Sequence, residues 1–272
     1  MAARALPVLM YHHVTPNDGL VTVAPATFRR QMAWLARHGY RSVGCRDLEG
    51  FLAGAPLPAK SVLITFDDGY LDNYVHAHPV LAEFGLHAAL FLVTGWIGDD
   101  GKPRRHAGVG GALPACPDHR TAKAAIDAGR ADEVMLRWSE IEVMQAAGTF
   151  EFHSHTHAHT RWDKTVADAT EREARLATDL AASRATLAAH CGDSAHLCWP
   201  QGHYDDGYKR VARNAGFRYL YTVRKGINTP GTAPDEIGRV VVKDRAGAWF
   251  ASRLFVYRQP ALGGLYLRLR GD

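Results

Sequence analysis

Three short stretches of this 272-residue chain hold residue types that could do chemistry. The first is Thr65-Phe66-Asp67-Asp68-Gly69-Tyr70, in which two adjacent carboxylates follow an apolar run. Such a pair is costly in a plain core. One carboxylate could bind a metal ion while the other acts on a water beside it. The structural alternative is an N-cap for a helix starting at Asp72, with Gly69 in the turn. The second stretch is Phe152-His153-Ser154-His155-Thr156-His157-Ala158-His159. Packing explains one buried histidine more easily than four, and imidazole suits zinc and other borderline transition metals. Two frames share a His-hydroxyl-x-x-His spacing, His153 with His157 and His155 with His159. The second puts a Thr right after its first His and lets a strand end at Ser154, so it is preferred; His153 and His157 then lie behind the ligands or face solvent. The third stretch is Tyr11-His12-His13-Val14. Histidine, ionising near neutral pH, is the usual general acid or base.

Combined, these stretches offer two His and one Asp to a metal, with positions left open for water and substrate. Asp67 is then free to take a proton from the water, and His12 to protonate a leaving group. That is the inventory for metal-assisted hydrolysis of an amide or ester.

All three stretches must sit at the ends of strands. The sequence predicts strands over Leu6–Tyr11, Ser61–Phe66, Ala88–Val93, Thr149–His153, Leu197–Trp199, Tyr219–Thr222 and Arg239–Val242. It predicts helices over Ala26–His38, Asp72–Phe84, Trp138–Ala147, Thr165–His190 and Asp206–Asn214. The alternation argues for an α/β fold with a parallel sheet, and about seven units favour a barrel-like closure. Chemistry gathers at the carboxyl ends of the strands in such folds. Residues 98–136, rich in Gly and Pro, interrupt the rhythm and are expected to form a surface insert placed to act as a lid.

Thr65-Phe66-Asp67-Asp68-Gly69 with Ser154-His155-Thr156-x-x-His159 resembles the polysaccharide deacetylases of carbohydrate esterase family 4, the NodB-homology domain. Leu9-Met10-Tyr11-His12-His13-Val14 resembles the subgroup acting on poly-β-1,6-N-acetylglucosamine, whose catalytic His precedes the other motifs. No His follows His203, so the C-terminal Leu-x-His of other members is missing. The resemblance runs over about residues 6–242 of what is read as one catalytic domain spanning 1–272, with 243–272 as an extension. It implies a distorted (β/α) barrel of about seven strands. It also implies Asp67 as base, His12 as acid, Asp68, His155 and His159 as ligands, and one divalent ion, zinc being usual, with Co2+, Ni2+ and Fe2+ also suited to the set. Leu197-Cys198-Trp199-Pro200-Gln201-Gly202 matches the third motif, where the main-chain N–H after Pro200, that of Gln201, helps hold an oxyanion. Many members begin that motif with an Arg that orients the base; here Cys198 stands instead. Arg239 resembles an Arg near the domain end in related sequences and is the expected substitute; on its own it reads equally as a solvated strand-edge residue. Tyr70, Trp96, Trp138, Trp162, Trp199 and Tyr204 are candidates to face a sugar.

The expected reaction is removal of an N-acetyl group from an amino sugar or glycan, releasing acetate. The rival readings are an amidohydrolase of a non-sugar amide on the same fold, and a glycan-binding protein with a relict site. A net charge of +4 without a dense basic run gives no case for nucleic acid. No run is long enough to span a bilayer. The first residues are too polar for a signal peptide, so a cytoplasmic location is expected. Cys45, Cys116, Cys191 and Cys198 form no CxxC pair and are expected to be reduced thiols. The apolar residues between Trp249 and Arg270 are expected to pack on the barrel.

Overall fold

The computed structural model describes residues 2–99 and 101–270. Met1, Asp100 of the insert, and Gly271 and Asp272 of the extension lie outside the described residues. The strands are β1 (Val8–Tyr11), β2 (His13–Val14), β3 (Thr22–Val23), β4 (Arg41–Ser42), β5 (Ser61–Asp68), β6 (Ala88–Leu92), β7 (Phe150–Ser154), β8 (His196–Cys198), β9 (Tyr219–Tyr221) and β10 (Val240–Val241). Seven of them run parallel in the order β10-β1-β5-β6-β7-β8-β9, with β4 paired to the start of β5 and β2 paired to β3 apart from the main sheet. Tyr221 bridges Ile237, just upstream of β10, which curls the two ends of the sheet toward each other. The result is the distorted (β/α) barrel that the resemblance implied, with the parallel sheet expected from the alternation.

The helices are α1 (Pro25–Arg37), α2 (Cys45–Leu52), α3 (His78–Phe84), α4 (His119–Asp127), α5 (Trp138–Ala146), α6 (Trp162–Thr165), α7 (Ala169–His190), α8 (Asp206–Asn214), α9 (Ala248–Tyr257) and α10 (Pro260–Arg270). Every residue of β5 is buried, as befits a strand covered on both faces. Its side chains alternate between two cores. Ile64 and Phe66 pack outward with Phe28, Met32 and Leu35 of α1, while Leu63 packs inward with Val8, Phe91 and Tyr221. Helix α2, not foreseen from the sequence, adds Leu48 and Phe51 to that inner cluster.

Two predicted helices differ from what forms. Over Asp72–Phe84 the chain makes a π-helical stretch, Asn73–Ala77, before α3. The His78 N–H bonds back to the Asn73 carbonyl, and Pro79 directly after has no N–H with which to keep an α ladder. The long helix begins at Ala169 rather than Thr165, because the Asp168 side chain caps the Glu171 N–H at 2.8 Å.

The 98–136 insert is packed. Ala122, Ala125, Val134 and Met135 cluster with Tyr70. Arg104 holds the fully buried Glu140 of α5 through Nε at 2.7 Å and Nη2 at 2.8 Å. Phe250, Leu254, Tyr257 and Leu267 of the C-terminal helices join the main core. All four cysteines are free. No helix among the described residues is long and apolar enough to cross a membrane.

Candidate active site

The carboxyl ends of the strands surround a cleft of about 340 Å³. Its wall includes His12, Asp67, Asp68, Tyr70, His155, His159 and Gln201. Alternation along β1 explains His12: Leu9 and Tyr11 enter the outer core, so Met10 and His12 face inward. The same rule would send Asp67 and Asp68 to opposite faces. Both reach the cleft because Asp68 has φ +77°, which turns the end of β5 back on itself. Gly69 follows at φ +93°, and a Cβ there would lie 2.8 Å from Leu92 Cδ2. On β7, Phe150 and Phe152 fill the outer core, leaving His155 on the inner side just past the strand end.

His155 Nε2 lies 3.3 Å and His159 Nε2 3.5 Å from Asp68 Oδ1. The Asp68 Oδ1 atom is buried with no hydrogen-bond partner among the described residues. His155 Nδ1 lies 2.8 Å from the Cys198 carbonyl, a bond that requires a proton on Nδ1 and so leaves the Nε2 lone pair for an ion. Three donors of the right chemistry, with an orphaned carboxylate oxygen between them, fit a divalent metal. His153, the rival frame, points elsewhere: its Nδ1 meets Ser194 Oγ at 2.7 Å. His157 Nδ1 meets Thr94 Oγ1 at 3.0 Å.

Asp67 is buried and gripped by Arg239, with Nη1 to Oδ1 at 2.7 Å and Nη2 to Oδ2 at 2.8 Å. Arg239 is therefore not a solvated edge residue. Burial pushes the Asp67 carboxyl up, but the guanidinium outweighs it and holds the group below the usual carboxylate range. Cys198 Sγ sits 3.0 Å from Arg239 Nη2. His12 Nε2 lies 3.7 Å from Asp67 Oδ2, and burial pushes its imidazole pKa down. Its neighbour His13 is turned away, fully buried, with Nδ1 2.6 Å from Asp72 Oδ2 and its ring stacked on Tyr70.

Backbone strain concentrates here. Val21 (φ +49°), Asp68, His159 (+54°) and Gln201 (+54°) line the cleft, and Thr156 (+68°) lies between the two histidines. In the turn after buried Pro200, the backbone bonds come from Gly202 to the Trp199 carbonyl and from His203 to the Pro200 carbonyl. Asp179 of α7 fixes the 155–159 loop: Oδ1 accepts from the N–H groups of His157 (2.7 Å) and Ala158 (2.9 Å). Its Oδ2 accepts from Trp162 Nε1. An acid within the buried stripe of Leu176, Leu180, Ser183 and Leu187 was the signal in the sequence for this role.

Of the aromatic candidates, Tyr70, Trp96 and Trp199 line the cleft. The others do not. Trp138 stacks on His190, while Trp162 and Tyr204 pack against a cluster beside α7 and α8. The insert supplies wall residues that the sequence did not single out, His119 and Lys123, one turn apart on α4. Lys123 Nζ stands 5.7 Å from the Trp96 ring centre.

A family model described as polysaccharide deacetylase matches residues 54–220. The Bacillus subtilis (strain 168) protein YxkH is 40% identical over 94 residues, a match covering 34% of this chain and only 33% of that protein. The poly-beta-1,6-N-acetyl-D-glucosamine N-deacetylase of Staphylococcus aureus (strain MRSA252) is 23% identical over 228 residues, covering 83% of this chain and 69% of that one. The solved structure of IcaB from Ammonifex degensii superposes with a TM-score of 0.72 at 28% identity, over 95% of this chain and 98% of that chain.

Proposed function

We propose that this chain, which belongs to the polysaccharide deacetylase family, hydrolyses the N-acetyl amide of an acetylated amino-sugar glycan to acetate and a free amine. One observation carries the reading: Asp67, Asp68, His155, His159 and His12, drawn from three distant stretches, converge on one cleft. A divalent ion held by Asp68, His155 and His159 would polarise the amide carbonyl and lower the pKa of the attacking water.

The chain's own residues supply the rest. Asp67, kept ionised and fixed in direction by Arg239, takes the proton from water as its oxygen attacks the carbonyl carbon. The Gln201 N–H donates a hydrogen bond to the carbonyl oxygen as negative charge builds there. His12, on the Asp67 side of the cleft, gives a proton to the departing nitrogen, and the C–N bond breaks. Tyr70 and Trp199 are buried, so Trp96 offers the aromatic surface on which a pyranose face stacks.

The staphylococcal relative, named for poly-beta-1,6-N-acetyl-D-glucosamine, favours a β-1,6-linked N-acetylglucosamine chain as substrate. Acetate release from monomer, β-1,4 oligomers, β-1,6 oligomers and small non-sugar amides tests this. Preference for β-1,6 oligomers is the expected result. Turnover of small amides alone would move the function to a non-sugar amidohydrolase.

A further inference from the structure

Glu151 and His153 of β7 and His155 just past its end follow one another along the inner side, and only His155 lines the cleft. Beneath the Asp67–Arg239 pair lie Phe91 and Tyr221, with ring centres 4.6 Å apart. Arg239 stacks over Phe91 at 5.9 Å, and His153 meets the same ring at 5.8 Å. A second cavity of about 640 Å³ lies beside α2, and Cys45, Glu151, His153 and His196 help to line it.

Cys45 Sγ, a Glu151 carboxylate oxygen and a His153 ring nitrogen lie within 4.8 Å of one another. His153 is 8% exposed, and its Nε2 is buried without a hydrogen-bond partner among the described residues. That Nε2 lies 3.7 Å from Glu151 Oε2, beyond hydrogen-bond reach yet close to the separation of two ligands on one tetrahedral ion, roughly 3.3–3.7 Å for bonds of ~2.0–2.3 Å. His153 Nδ1 is taken by Ser194 Oγ, as His155 Nδ1 is by the Cys198 carbonyl. His153 and His155 thus both present Nε2 from a ring oriented through Nδ1, the usual pose of a metal ligand. Glu151 is fixed through its other oxygen, which accepts from the Cys45 N–H at 2.6 Å. Cys45 Sγ is 3.3 Å from the Tyr221 hydroxyl.

We propose that Cys45, Glu151 and His153 form a second metal site, distinct from the catalytic centre, that takes a divalent ion of the zinc class with its fourth position open to the cavity. Thiolate, imidazole and carboxylate together select such an ion over magnesium or calcium. Cys45 binds as the thiolate, so binding releases its proton to solvent.

Cobalt titration of metal-stripped protein tests the site through the near-ultraviolet sulfur-to-cobalt charge-transfer band. The Asp68, His155, His159 set contains no sulfur. The expected result is two equivalents of cobalt in the wild type, with the band present there, in Asp68→Asn and in Cys198→Ser. In Cys45→Ser the band is lost and one equivalent remains; in His153→Gln the second equivalent binds at least tenfold more weakly. Absence of the band in the wild type would overturn the proposal whatever the variants do. So would a band that survives Cys45→Ser and disappears in Cys198→Ser.

Discussion

Arg239 grips Asp67 through both carboxylate oxygens, at 2.7 and 2.8 Å, from a side chain with no exposed surface. The two residues are 172 positions apart in the chain. Cys198, where the resemblance led one to expect an arginine, lays its thiol against the same guanidinium. Arg239 reaches Asp67 from β10's side of the barrel instead of β8's. Replacing Arg239 by Met leaves a buried, unpaired carboxylate, at a cost of about 3–5 kcal/mol. The Asp67 carboxyl, no longer held down, then titrates at higher pH. The acid limb of kcat/KM should therefore move upward in Arg239→Met, and less so in Arg239→Lys, which keeps the charge but not the fork. A pH profile with an unmoved acid limb would remove Arg239 from this role.

Asp67 and Asp68, although adjacent, are expected to have separable roles. Asp67→Asn should lower kcat by about 10²–10⁴ while leaving metal content unchanged. Asp68→Asn, His155→Ala or His159→Ala should each remove one equivalent of metal. Equilibrium dialysis alongside turnover distinguishes the two effects. Metal loss in Asp67→Asn would merge the two roles.

Gln201 is assigned a part through its backbone, not its side chain. At φ +54° a glycine is at least as comfortable, so Gln201→Gly should keep activity. Gln201→Pro removes the N–H and cannot reach that φ, so kcat should fall by roughly 10²–10³. Near-normal turnover in Gln201→Pro would rule out the N–H as an oxyanion donor.

Much of this site was legible because its chemistry is written in local runs. The strand before Asp67-Asp68 is continuously apolar, and the second His frame follows from where β7 can end. Other parts depend on contacts that no local pattern carries. Asp68 faces the cleft only through a left-handed turn, and a solvated-edge reading of Arg239 fails only because β10 lies inside the barrel wall. Helix α2, β4 and the π-helical stretch before α3 are set by packing and by Pro79 rather than by periodicity. The insert's contribution, His119 and Lys123, depends on where α4 docks against Tyr70.

Acid should destabilise the fold before its carboxylates are neutralised. Burial pushes His78 and His196 down to about 4 from an ordinary 6.5. A folded-state pKa below the unfolded one means each group contributes full stability above about pH 6.5. That contribution is lost as pH falls toward 4, on the order of 3 kcal/mol for each. The urea midpoint should drop between pH 7 and pH 4.5, and drop less in His78→Asn, which cannot take the charge. Equal drops in both proteins would show that His78 is not involved.

The proposed reaction rests on Asp67 acting as a base in a metal-dependent N-deacetylation. The most direct test is acetate release from a β-1,6-linked N-acetylglucosamine oligomer by three samples: stripped protein, the same protein after zinc or cobalt is restored, and metal-loaded Asp67→Asn. Release is expected from the second sample alone, with the other two reduced by at least two powers of ten. Equal release from metal-loaded Asp67→Asn, or from stripped and restored protein alike, would contradict it.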